Sequence, residues 1–200
     1  MAVGKAIDGT LSQFGYLVGI GRKPTATALR RLAESLLDDG LAEAAAEISP
    51  SERERVVRQI EDVVRAYRTS PIFGLSRPKT RVILIDDRVG VYAQPDYWDG
   101  RGRFFEMKSY PAIPPPPDVA LQLRLFQLAF PGFESRLVCL NRHAHPVETT
   151  STVVAPPSSE EAHSALRLAY DLGIEFGEEK VFEYMEGPFV RYALGPGPVP

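Results

Sequence analysis

The apolar residues of this chain change their period once, across "TSPIFGLSRPK" (residues 69–79), and that change limits the folds open to it. Before it, "TATALRRLAESLLDD" and "SPSERERVVRQIEDVVRAYR" repeat apolar residues at steps of three and four, the spacing of a helix with one buried face. The second segment carries Val56, Ile60, Val63, Val64 and Tyr67 as its stripe, with Ser49 or Ser51 as the expected N-cap. Gly40 is expected to end the helix before it, with "GLAEAAAEI" a further short helix. After the change come "TRVILID", "RVGVYAQP" and "GRFFEMKSY", short and β-rich, separated by "DD" and "DGRG" turn signals.

Further on, "AIPPPPD" can be neither helix nor central strand. It leads to Asp118, the expected N-cap of "VALQLRLFQLAF", which Pro131 and Gly132 stop. "SRLVCL" and "VETTSTVVA" read as strands, "SSEEAHSALRLAYDLG" as a capped helix, and "KVFEYMEGPFVRYAL" as a strand pair or hairpin. The class is therefore α/β. The expected division is an N-terminal helical region (1–50), a core (51–145), a C-terminal β-α-β extension packed on the core (146–194) and a disordered tail (195–200).

Composition narrows the function classes. With 44% hydrophobic and 24% charged residues the chain can bury a core of ordinary size. No apolar run reaches the roughly eighteen residues of a membrane span, and no basic, apolar and small-residue leader pattern opens the chain. One cysteine, Cys139, cannot form an internal disulfide, so a cytoplasmic protein is expected. The net charge of −3 is unevenly spread. Residues 51–145 hold 15 Lys/Arg against 11 Asp/Glu, a net of +4, between flanks of −1 (residues 1–50) and −6 (residues 146–200). A basic centre is compatible with a polyanion partner.

The chemistry concentrates in "QPDYWDGRGRFFEMKSY", residues 94–110. A turn centred on Gly100–Arg101–Gly102 makes paired residue numbers sum to about 202, which sets Asp96 opposite Glu106. Alternation along the strand sends Glu106 and Lys108 to the same side as Phe104 and Tyr110. Two acids opposed on a half-buried sheet repel and lose hydration. A divalent cation, Lys108, or both must compensate. Hard carboxylate donors without a histidine or thiolate cluster favour magnesium or manganese. In the next helix, Gln122 falls 40° from Asp118 on the apolar side, among Val119, Leu125, Phe126 and Ala129, whereas Arg124 and Gln127 fall on the wet side.

Pro95-Asp96, nine residues, then Glu106-Met107-Lys108 resembles the signature of the PD-(D/E)xK nucleases. "DVALQLRLFQLAF" is similar to the helix that carries Gln-x-x-x-Tyr in RecB-like members, with Gln122 matching and Phe126 in place of the tyrosine. The resemblance covers about residues 52–142. It implies a restriction-endonuclease-like core, a central mixed sheet flanked by helices, and magnesium-dependent hydrolysis of DNA phosphodiesters, exonuclease-like on DNA ends. It also implies that Asp96, Glu106 and the Met107 carbonyl hold Mg2+, with Mn2+ able to substitute. Lys108 and Gln122 would complete the catalytic set. An accessory acid is expected on the preceding helix, Glu61 first and Glu54 nearly as good. The four cysteines of the family's iron–sulfur branch are lacking.

Plainer readings stand beside these. The alternatives to a nuclease are a non-catalytic nucleic-acid-binding or assembly protein on the same fold, and a structural domain whose hairpin charges pair with one another. Arg101, Arg103 and Arg124 are candidate DNA contacts, or a solvated rim. Tyr97 and Trp98 either stack on bases or pack on a neighbour. Cys139, His143 and His145 have metal-ligand character without an obvious fourth ligand, so an exposed loop is the expected reading. Gly15, Gly19 and Gly21 do not follow a strand, so no dinucleotide or phosphate loop is expected. A homo-oligomer, or a helicase or recombinase that delivers DNA, is compatible with the sequence.

Overall fold

The computed structural model describes residues 2–77, 80–85, 89–176 and 189–192, the last four and residue 176 by backbone alone. In order the elements are α1 (Ala2–Gly19), α2 (Ala26–Glu43), α3 (Pro50–Tyr67), β1 (Arg81–Ile85), β2 (Val89–Ala93), β3 (Tyr97–Trp98), β4 (Arg103–Lys108), α4 (Pro117–Ala129), β5 (Glu134–Asn141), β6 (Glu148–Val154), α5 (Ser159–Phe176) and β7 (Phe189–Tyr192). The class is α/β, as expected. Two compact units divide the chain: Met1–Leu75 with Met107–Pro111 and Val138–Ser151, and Ser76–Glu106 with Ala112–Leu137 and Thr152–Pro200.

The first unit is built on α1, α2 and α3. Thr25 caps α2 by accepting the Ala28 N–H at 3.2 Å, and Ser49 caps α3 by accepting the Glu52 N–H at 3.2 Å. The stripe of α3 is buried together with Ile7, Leu11 and Phe14 of α1 and Leu37 of α2. Thus α3, assigned from the sequence to the 51–145 core, packs with the N-terminal helices because they cover its apolar face. Arg53 binds Asp38 through both carboxylate oxygens, at 3.0 and 2.8 Å, and Arg30 pairs with Glu54, so charges also join α2 to α3. Gly40 does not end α2. The helix runs through it to Glu43, since a Cβ at Gly40 would lie 3.2 Å from the Ala2 backbone: the glycine permits the approach of α1. The chain leaves the helix at Ala45, whose φ is 47°, so "GLAEAAAEI" is no separate helix.

In the second unit β1 pairs antiparallel with β2 (Ile83↔Val91) and parallel with β7 (Ile83↔Val190). Ile83, Ile85 and Ala93 share a core with Phe104, with Phe126 of α4 and with Leu166 of α5. Arg81 closes the end of α4: its Nη1 donates to the Ala129 carbonyl at 2.9 Å, and its guanidinium lies 4.5 Å from the Phe130 ring centroid. A reciprocal capping box opens α5. The Ser158 hydroxyl accepts the Glu161 N–H at 3.2 Å, and the Glu161 carboxylate accepts the Ser158 N–H at 2.9 Å.

Two expectations are corrected here, and a third lies partly outside the described residues. The strands do not form one central sheet: β2-β1-β7 make one, and β3-β4-β5-β6 line up in another. Pro95, between β2 and β3, has no N–H to give to a ladder and breaks the pairing there. Asp118 is not an N-cap. Pro117 starts α4 one residue earlier with its φ already helical, and Asp118 sits in the first turn, where a carboxylate favours the helix dipole. Of "KVFEYMEGPFVRYAL", residues 189–192 form β7; residues 180–188 and the 195–200 tail lie outside the described residues. No helix of the described residues is long and apolar enough to cross a membrane.

Candidate functional site

The hairpin is locked by its own turn. Asp99 Oδ1 accepts the Arg101 N–H at 2.8 Å and the Arg103 N–H at 3.1 Å, while Arg103 Nε donates to Oδ2 at 2.6 Å. Gly100 and Gly102 take φ of 72° and 95°, which side chains disfavour. Burial pushes the Asp99 carboxyl up, but the Arg101 N–H, the Arg103 guanidinium and the Arg103 N–H outweigh it and hold the group below its usual range. Asp99 is not among the residues expected above, although an Asp two residues before an amide that turns back is the local sequence signal for such a bond.

This turn sets the register. Trp98 pairs with Phe104 and Tyr97 with Phe105, each summing to the expected 202. The paired positions stop at Tyr97, and Asp96 lies in a bend just before β3. Glu106 is 3% exposed, although it sits on β4 among Phe104, Phe105 and Met107, all buried. Asp96 and Lys108 are half-buried. Asp96, Glu106, Met107, Lys108 and Gln122 all interact with other groups of the chain. Lys108 follows Glu106 by two residues in one strand, so alternation gives both the same side.

Gln122 is half-buried and lines a cleft of about 360 Å3 with Asp118 of α4 and with Tyr92 and Gln94, which lie just before Asp96. Gln127 is the buried glutamine of α4, 8% exposed, against its expected place on the wet side. Its Nε2 donates to the carbonyls of Val154 and Ala155, both at 3.0 Å, in the connection that enters α5. The partners lie 27 and 28 residues away, beyond the reach of a helical wheel.

The candidate DNA contacts divide. Arg101 is exposed, Arg103 is held by Asp99, and Arg124 Nη2 donates to Glu161 Oε1 at 2.6 Å. The candidate accessory acids belong to the helical unit and to its ion pairs. Glu61 lies 3.8 Å from Arg30, and Arg58 and Arg30 hold the Glu54 carboxyl below its usual range. Trp98 packs against Phe133, ring centroids 6.3 Å apart, and Tyr97 is buried, which fits packing on a neighbour. Cys139 is buried in β5, whereas His143 and His145 are exposed in the turn beyond it. Arg142, in that turn, donates to the Ser109 hydroxyl at 2.9 Å just past the end of β4.

Among the described residues no three or more His, Cys, Asp or Glu side chains group to hold a metal. The hairpin carries a different set of hard oxygen donors: the carboxylates of Asp96, in the bend before β3, and of Glu106 on β4, and the main-chain carbonyl of Met107. Magnesium fits such a set, since it is commonly held by one or two carboxylates and keeps several waters. A scan of protein-family models, a search of curated proteins and a search of solved structures each return no match to this chain.

Proposed function

We propose that the chain is a magnesium-dependent DNA nuclease of the PD-(D/E)xK type, on a restriction-endonuclease-like core, acting on DNA ends. The observation that carries this reading is Glu106, only 3% exposed on β4, with Asp96 one residue before the strand that pairs with it. Burial of an acid is unfavourable unless a cation or hydrogen-bond donors compensate it, and buried acids held this way cluster at functional sites. Asp96, Glu106 and the Met107 carbonyl would hold the ion, which supplies an acidified water and offsets charge on the phosphate. Lys108 orients the attacking water and stabilises the negative charge that develops at phosphorus. Gln122 supports that water or a phosphate oxygen by hydrogen bonding. The basic 51–145 segment favours a DNA partner, and the lone buried Cys139 is consistent with a cytoplasmic location.

A second reading, a non-catalytic DNA-binding or assembly protein, draws support from the pairing of Glu54 and Glu61 with Arg30, which occupies both candidate accessory acids. One experiment separates the two. Labelled linear and circular DNA are incubated with the protein, with and without magnesium, beside Lys108→Ala. The nuclease reading expects metal-dependent loss of linear DNA first, slowed about 10²–10⁴-fold in the variant. DNA retained on the protein but never cut would establish the second reading instead.

A further inference from the structure

The helical unit holds a cleft of about 340 Å3 where α1 turns toward α2. Its floor is Phe14, Val18 and Phe73, and its rim carries Arg22, Lys23 and Arg68, with no acidic side chain lining it among the described residues. Phe73 is 36% exposed yet firmly backed: its ring meets Tyr67 edge-on at 5.5 Å and Phe14 at 6.3 Å between centroids. The cations are positioned by the backbone. Gly21, with φ of 76°, lets the Gly21 N–H reach the Val18 carbonyl and the Arg22 N–H reach the Leu17 carbonyl, both at 2.9 Å. Arg68 is the C-cap of α3.

Two helix ends account for part of this charge. The C-termini of α1 and α3 each count for roughly −0.5, against three full cations, which leaves about +2. Arg22, Lys23 and Arg68 make no ion pair among the described residues. A phosphate monoester carries about −1.5 to −2 at neutral pH, which matches that remainder. An exposed, rigidly backed ring offers a face for a planar base. The volume lies near the lower end for small-molecule pockets, room for one such unit.

We infer that this cleft binds a nucleotide bearing a terminal phosphate, its base on Phe73 and its phosphate among Arg22, Lys23 and Arg68. The source is a free mononucleotide or the phosphorylated end of a strand, and the site does not depend on the nuclease reading.

The test is displacement of fluorescently labelled adenosine monophosphate from the full chain in EDTA, followed by anisotropy. The competitors are unlabelled adenosine monophosphate, adenosine, inorganic phosphate, and one oligonucleotide with and without a 5′-phosphate. Adenosine and phosphate alone should compete at least about tenfold more weakly than the monophosphate. Phe73→Leu should weaken binding about fivefold or more. The exposed pair Arg22→Gln with Lys23→Gln, which leaves the core untouched, should weaken it about tenfold or more. If the 5′-phosphorylated strand competes more tightly than the monophosphate, the ligand is a strand end; if not, it is the free nucleotide. Absence of saturable displacement, equal competition by adenosine, or wild-type affinity in the double variant would overturn the assignment.

Discussion

The pairs β1–β2 and β3–β4 are both antiparallel, yet they treat the core in opposite ways. Along β1, Val82 to Ile85 are apolar and buried, which is how a strand covered on both faces reads. Along β4, Phe104 to Met107 are as well buried, but Glu106 stands among them. The chain can therefore bury a strand without an acid, and does so at β1. We propose that the acid is kept at this buried position for what it holds rather than for what it stabilises.

The comparison breaks most sharply at Glu106. Glu106→Gln keeps the shape and removes the charge. On the proposed nuclease reading, DNA cleavage should fall by about 10²–10⁴-fold, roughly 3–5 kcal/mol of barrier, while circular dichroism stays native. Undiminished cleavage would make Glu106 structural. Ile83→Ala is the counterpart in the other pair. Ile83 is fully buried, so the denaturant midpoint should drop by the equivalent of about 3 kcal/mol, with cleavage per folded molecule unchanged. If Glu106→Gln destabilises as much as Ile83→Ala, the contrast between the two pairs fails. The smallest effect belongs to the turn. The Asp99 side chain is 7% exposed and its folded pKa lies below the ordinary 3.8. Its contribution, about 1 kcal/mol, is thus present above that ordinary value and lost as pH falls through the folded one. Unfolding curves of wild type and Asp99→Asn should differ at pH 6, with the gap narrowing only as pH falls below 3.8 and closing below the folded pKa; a gap that persists in stronger acid would assign the turn's stability elsewhere.

Local features were the legible ones. The register around Gly100–Arg101–Gly102, the Ser49 cap and the α3 stripe all follow from residues within a few positions of one another. What escaped depended on distant partners. Gln127 reads as wet on a wheel because the carbonyls it satisfies belong to the approach to α5. Gly40 reads as a stop because nothing nearby announces Ala2 beside it. The break between the two sheets was readable in principle, since Pro95 cannot donate to a ladder, but only its place in the nuclease signature was used. For the candidate site, sequence supplied the two acids; the partners that hold Arg124, Glu54 and Glu61 lie on other helices.

The strand β7 pairs with β1 along Val82–Ile85, yet it lies more than a hundred residues later in the chain. On a ribosome adding about 5–20 residues per second, β1 therefore waits roughly 5–20 s for that neighbour. Through the interval one side of an apolar strand has its amides and carbonyls open to any other extended segment. Nascent chains stalled before Phe189 should be the form of this protein most dependent on chaperones.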